Sequence, residues 1–207
     1  ALSQDDLKKR LAYSTVSQVS YIVLGLSMVS VIATTGGLVH LVHQGLAKIT
    51  LFFCAGIVAE TLGITKIREL AGLGRRMPLT ALAFTIAALG MIGLPPTAGF
   101  VTKWYLGQGA IDSGSLWVLT ILATSALLNA AYFLPMVLSM WFGPALPTPA
   151  DPGPRASSPR AAVVEAPPSL LGPAAVTAGL SLLAGLTAAL PYSPLSFATD
   201  IATRIFQ

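Results

Sequence analysis

Between residues 11 and 47 the chain carries no Asp, Glu, Lys or Arg. A single membrane span needs only ~20 residues, so this uncharged run is too long for one helix and must hold two. Gly36 and Gly37, directly after the β-branched Thr34 and Thr35, are the expected break. Residues 11–33 are then a first span and residues 37–62 a second, with Lys48 near its middle.

The same constraint recurs further on. Residues 79–111 hold one charge, Lys103, and are again too long for one straight helix. Their middle reads Gly93-Leu94-Pro95-Pro96-Thr97-Ala98-Gly99. Two prolines remove two N–H donors and clash with the preceding turn, so the helix stops and restarts there. Half-helices are expected over 79–94 and 99–111, with Pro78 in the first turn, where a missing N–H costs nothing. A fourth span covers 116–142 and a fifth 169–190. Residues 143–168, rich in Pro, Ala and Ser, cannot bury a core and read as a solvated linker. The expected organisation is therefore an all-α membrane protein: four spans in 1–142, a cytoplasmic linker, and a last span with an outer tail in 169–207.

Composition agrees: 54% of the residues are apolar and 10% charged, outside the range of ordinary soluble domains. The twelve Lys and Arg do not describe a nucleic-acid binder, because they form short runs between long uncharged stretches rather than one basic face. Threading five spans puts Lys8, Lys9, Arg10, Lys66, Arg68, Arg75, Arg76, Arg155 and Arg160 on one side, and Arg204 on the other. By the positive-inside rule the amino end is cytoplasmic and the carboxyl end outside. No Met opens the chain, and its charged amphipathic start reads as the interior of a longer polypeptide. Cys54 lies in an apolar run as a small lipid- or helix-facing residue.

Lys48 and Lys103 are the informative positions. An ionisable group at a helix centre costs ~2.5–3.5 kcal/mol on insertion scales, and so faces protein or a wet cavity. His40, Gln44 and Lys48 recur every four residues and share a helix face, with His43 beside them. Histidine exchanges protons near neutral pH, and such a column of groups fits a proton wire. Tyr13, Ser14, Ser17, Gln18 and Tyr21 form a polar stripe whose usual use is helix–helix packing. Glu60 reads as a terminal, solvated carboxylate, and Asn129 and Pro135 as packing and kink residues. Unwound backbone in a membrane is tolerated where it is buried or lines a cavity, so the Pro95-Pro96 break beside Lys103 is a joint signal. The spacing of the two histidines gives no metal site.

Two runs, residues 6–18 and 94–104, resemble the antiporter-like subunits shared by Mrp-type sodium/proton antiporters, respiratory complex I and membrane-bound hydrogenases. With residues 40–56 they extend the resemblance over most of 6–142. Thr102-Lys103-Trp104-Tyr105-Leu106 and residues 128–135 are similar to the D-type Mrp subunit. The resemblance implies a fourteen-helix subunit built from two inverted five-helix repeats, each with one broken helix, of which this chain is the last five helices. It puts the family's broken-helix lysine on Lys103 and its histidine–lysine helix on His40 and Lys48. Family members often carry a second histidine four residues before that lysine, where this chain has Gln44, with His43 adjacent. The first repeat is absent, so the chain is expected to be a piece of a longer subunit or to be completed by another chain.

The implied function is proton conduction in a multi-subunit Mrp-type cation/proton antiporter of a prokaryotic cytoplasmic membrane. The implied partners are neighbouring membrane subunits, protons, sodium and the bilayer. Lys103 is then the proton-exchange site toward the outer side, Lys48 with His40 the central relay, and His43 an adjunct. The subunit would not be an enzyme and would hold no cofactor of its own. Two alternatives are a proton-pumping subunit of complex I or a group-4 hydrogenase, whose redox centres lie in partner subunits, and a scaffold without transport.

Overall fold

A computed structural model describes residues 1–144 and 163–207. These residues form eight α-helices: α1 Leu7–Ser27, α2 Val31–Leu62, α3 Leu73–Arg76, α4 Pro78–Ile92, α5 Ala98–Asp112, α6 Trp117–Phe142, α7 Pro168–Leu186 and α8 Pro194–Ile205. The expected linker falls largely on residues 145–162, outside the described residues. Three helices, α2, α6 and α7, are long and apolar enough to cross a membrane. At 32 residues α2 is ~48 Å long by helical rise, more than the ~30 Å hydrocarbon core.

The boundary between the first two helices departs from the glycine-based expectation. Gly36 and Gly37 lie inside α2, and the chain turns instead at residues 28–30. Ser30 caps α2 by accepting from the Ala33 N–H, and its own hydroxyl donates to Asp112 Oδ2 at 2.5 Å. Val29 takes the positive φ of the turn, 48°. The glycines serve close helix approach: a Cβ on Gly25 would lie 2.7 Å from Gly37 Cα, and one on Gly36 would lie 2.9 Å from the Leu106 backbone N. A glycine pair thus marks where α1 and α5 press onto α2.

Residues 63–77, between the second and third expected spans, carry a short 3-10 turn at Ile67–Leu70 and the single turn α3. Gly74 in that segment is buried against Trp141. Pro78 opens α4 as expected. Glu165, just before α7, accepts from the Leu79 and Thr80 N–H groups and from the Thr80 hydroxyl, filling the unsatisfied N-terminus of α4.

α2 is the central helix, packed on α1, α4, α5, α7 and α8. Around it lie two main apolar cores. One gathers Leu7, Leu11, Leu51, Leu62, Phe84 and Phe133; the other gathers Tyr21, Met28, Ala33, Leu106 and Val118. Beside these cores the bundle buries a set of polar residues: Ser14 and Gln18 on α1, His40, His43 and Lys48 on α2, Thr102 on α5, Asn129 on α6. The outer surface is apolar, with Val16 69% and Leu127 72% exposed. Polar residues inside and large apolar ones outside is the pattern of a bundle solvated by lipid.

Candidate functional site: a buried polar layer at a broken helix

The break forms where two prolines withdraw their donors. α4 ends at Gly93, whose φ of 88° suits only glycine, and the N–H groups of Gly93 and Leu94 both donate to Leu89 O, at 2.9 and 3.1 Å. Pro95 and Pro96 cross the gap, joined by a cis peptide. The Thr97 N–H and hydroxyl both donate to Leu94 O before α5 begins. The non-helical backbone spans 93–97, within a residue or two of expectation. Two glycines press the break shut: a Cβ on Gly99 would lie 1.8 Å from Gly90 O, and one on Gly185 of α7 would lie 2.2 Å from Pro96 O.

Lys103, one turn into α5, bends back over this gap. Its Nζ donates to Met91 O at 3.3 Å and to Ile92 O, the open carbonyls at the end of α4. Those carbonyls are also the negative end of the α4 dipole, which favours a cation. The same Nζ lies 5.6 Å from the ring centroid of Tyr21, a favourable cation–π distance.

Lys48 reaches a different helix. Its ammonium donates to Leu11 O at 3.0 Å and to Ser14 Oγ, both on α1. The Ser14 hydroxyl in turn lies 2.8 Å from Leu11 O. Among the described residues neither lysine has a carboxylate partner; backbone carbonyls, a hydroxyl and a ring hold the two charges.

Between the lysines sit the histidines. The ring of His40 packs edge-on against Tyr21, centroids 5.2 Å apart, so the Tyr21 ring contacts both His40 and Lys103. His43 Nδ1 lies 2.9 Å from Thr102 Oγ1 on α5. Both His40 nitrogens, His43 Nε2 and Gln44 Oε1 have no protein partner among the described residues. They surround a small cavity, about 10 Å³ in the space open to a water molecule's centre, closed by Gln18, Met91, Gly99 and Ser181. That is about the least volume that accepts one water, and its polar lining supplies the partners a water needs. A second polar cluster lies beside it: Gln18 donates to Asn129 Oδ1 at 3.2 Å, Tyr132 donates to the same oxygen, and Tyr21 donates to Ser125 Oγ at 2.7 Å.

The structure therefore brings His40, His43 and Gln44 to one cavity, and sends Lys48 and Lys103 to different helix partners. The polar stripe of α1 divides: Ser14, Gln18 and Tyr21 face inward, whereas Tyr13 and Ser17 face out. Asn129 is a hub of the polar layer as well as a packing residue. Thr102 and Ser181 escaped sequence reasoning, since a lone hydroxyl residue in an apolar helix carries no distinguishing pattern. Glu60 is exposed at the end of α2, and Cys54 faces α4 with Sγ 3.6 Å from Thr80 O. Among the described residues no cluster of three or more His, Cys, Asp or Glu could hold a metal. The layer offers ammonium and imidazole groups, which can titrate, and amide and hydroxyl groups, which donate and accept hydrogen bonds.

Residues 1–129 match the family described as NADH:quinone oxidoreductase/Mrp antiporter, TM. The chain belongs to that family. The NADH-quinone oxidoreductase subunit N of Desulforudis audaxviator is 43% identical over 178 residues, covering 84% of this chain and 35% of that protein. The chain thus spans about a third of the length of this family member. Among solved structures, the Mrp complex from Dietzia sp. DQ12-45-1b contains a chain with TM-score 0.79 and 25% identity, covering all of this chain and 44% of its own. Respiratory complex I from Thermus thermophilus with bound NADH contains one with TM-score 0.80 and 22% identity, again over all of this chain and 41% of its own; at that identity the likeness is one of fold.

Proposed function

We propose that this chain is part of a proton-translocating, antiporter-like membrane subunit, in which Lys103, Lys48, His40 and His43 carry protons across the bundle. The observation that carries this reading is the set of buried polar groups inside an apolar bundle, with Lys48 held by α1 and Lys103 held at the helix break. A buried ionisable residue in a membrane bundle is costly and persists where function needs it. In this reading α1 and the α4–α5 pair cross the bilayer with α2, α6 and α7. The result is five spans with one discontinuous, corresponding to the last five helices of the inverted-repeat subunit. Residues 1–142 form the repeat, 143–168 a cytoplasmic linker, and 169–207 the last span and outer tail. The amino end is cytoplasmic because the Lys and Arg residues gather on its side.

The parent assembly in this reading is an NADH-quinone oxidoreductase, supported by the 43% identity to a subunit N. Proton movement there would be driven by electron transfer in partner subunits. A second reading, the D-type subunit of an Mrp sodium/proton antiporter, is supported by Thr102–Leu106 and by the Dietzia Mrp complex. Inverted membrane vesicles containing the native complex separate the two. Acidification on adding NADH, abolished by a quinone-site inhibitor, supports the first. Proton movement driven by a sodium gradient without NADH supports the second, and neither in a fully assembled complex refutes both.

A further inference from the structure

Thr102 lies one residue before Lys103, is fully buried, and places its hydroxyl 2.9 Å from His43 Nδ1. A threonine hydroxyl has one hydrogen to give, and the Ala98 carbonyl, 3.5 Å from Thr102 Oγ1, can only accept it. With that hydrogen directed to Ala98 O, Oγ1 accepts from His43 Nδ1–H. A neutral imidazole protonated at Nδ1 carries its free lone pair on Nε2. His43 Nε2 is buried and has no protein partner among the described residues, and His43 lines the small cavity together with Gln44 and Ser181.

We propose that Thr102 is a positioning residue that holds His43 protonated on Nδ1, so that Nε2 is the proton acceptor presented to the water-sized cavity. The inference rests on the proton-transfer reading of the layer and adds to it which nitrogen works and what fixes it. A proton donated by a hydronium in the cavity forms a second N–H at Nε2 and leaves a neutral water behind. The ring becomes imidazolium, and its Nδ1–H stays bonded to Thr102. Loss of that same proton from Nε2 to the cavity restores the neutral ring, and Thr102 neither gains nor loses a proton. Gln44 has no titrating proton, so its part is to orient the cavity water by hydrogen bonding, with the unpartnered Oε1 as acceptor. Position 44 therefore orients, while position 43 stores. This division explains how a relay along α2 works with an amide between His40 and Lys48. It also ties the relay to α5, since the residue that orients His43 precedes Lys103 on the same half-helix.

Two substitutions separate the hydroxyl from the shape. T102V keeps the branched side chain and removes the hydroxyl; T102S keeps the hydroxyl and removes the methyl. Proton flux is measured in proteoliposomes containing the whole assembled complex, with assembly checked by co-purification and K103A run alongside. The expected result is about tenfold lower flux for T102V and flux near wild type for T102S. Wild-type flux in T102V with K103A inactive overturns the role of Thr102 and leaves the wider reading standing; full flux in K103A removes the wider reading. Should T102V fail to assemble, T102S and T102A decide. An active T102S beside an impaired T102A supports the hydroxyl, and equal flux in the two overturns it.

Discussion

Gly93→Ala tests whether Lys103 and the end of α4 are one device. Gly93 has φ 88°, and a Cβ there would lie 2.6 Å from Lys103 Cδ and 3.0 Å from Lys103 Nζ. Two costs follow. Placing alanine in a left-handed conformation costs about 1–2 kcal/mol. Lysine is flexible and can retreat from the new methyl, but retreat withdraws the ammonium from Met91 O and Ile92 O, and a hydrogen bond to a charged group contributes about 1.5–3 kcal/mol. The expected loss is therefore about 2.5–5 kcal/mol in the presence of Lys103. In a K103A background the methyl has no lysine to displace, and Gly93→Ala should cost only the conformational penalty of about 1–2 kcal/mol. Thermal unfolding of the complex in lipid nanodiscs, for wild type, both single variants and the double variant, gives the coupling directly. Equal losses in the two backgrounds would refute the packing of Lys103 against Gly93.

Gly99→Ala should be worse than Gly93→Ala, because its Cβ would meet the Gly90 backbone oxygen at 1.8 Å, and backbone cannot move aside; loss of assembly by co-purification is expected, and normal assembly would contradict the closed break. Ser14→Ala removes a partner of the Lys48 ammonium and should lower stability by about 1.5–3 kcal/mol in the same nanodisc assay, with Ser14→Thr close to neutral. Cysteine at the exposed Arg75 should react with an impermeant maleimide from the cytoplasmic side, and cysteine at Ser113 from the opposite side; labelling of both from one side would remove the five-span threading.

The helix break was legible because its cause is local. Two adjacent prolines withdraw donors wherever they occur, and the structure interrupts the helix at 93–97. Gly36 and Gly37 were misread because glycine has two uses that look alike in a sequence. It can end a helix or let another helix touch it, and only the facing Gly25 and Leu106 backbones decide between them. Helical spacing placed His40, Gln44 and Lys48 on one face, yet it names no neighbour. That Lys48 turns to Leu11 and Ser14, and Lys103 to the end of α4, depends on which helices pack together. The stripe on α1 was too wide for one face, and packing assigned Ser14, Gln18 and Tyr21 to the interior. Thr102 was silent because its meaning comes from His43 across the helix interface, 59 residues away in sequence.

The proton-carrying role is tested most directly by the initial rate of proton translocation in proteoliposomes of the assembled complex, wild type against K103A. Flux at background with assembly intact is the expected result. K48A should be nearly as low, and K103R should give no rescue, since a guanidinium holds its proton at physiological pH. Wild-type flux in assembled K103A would contradict the role given to the broken helix and its lysine.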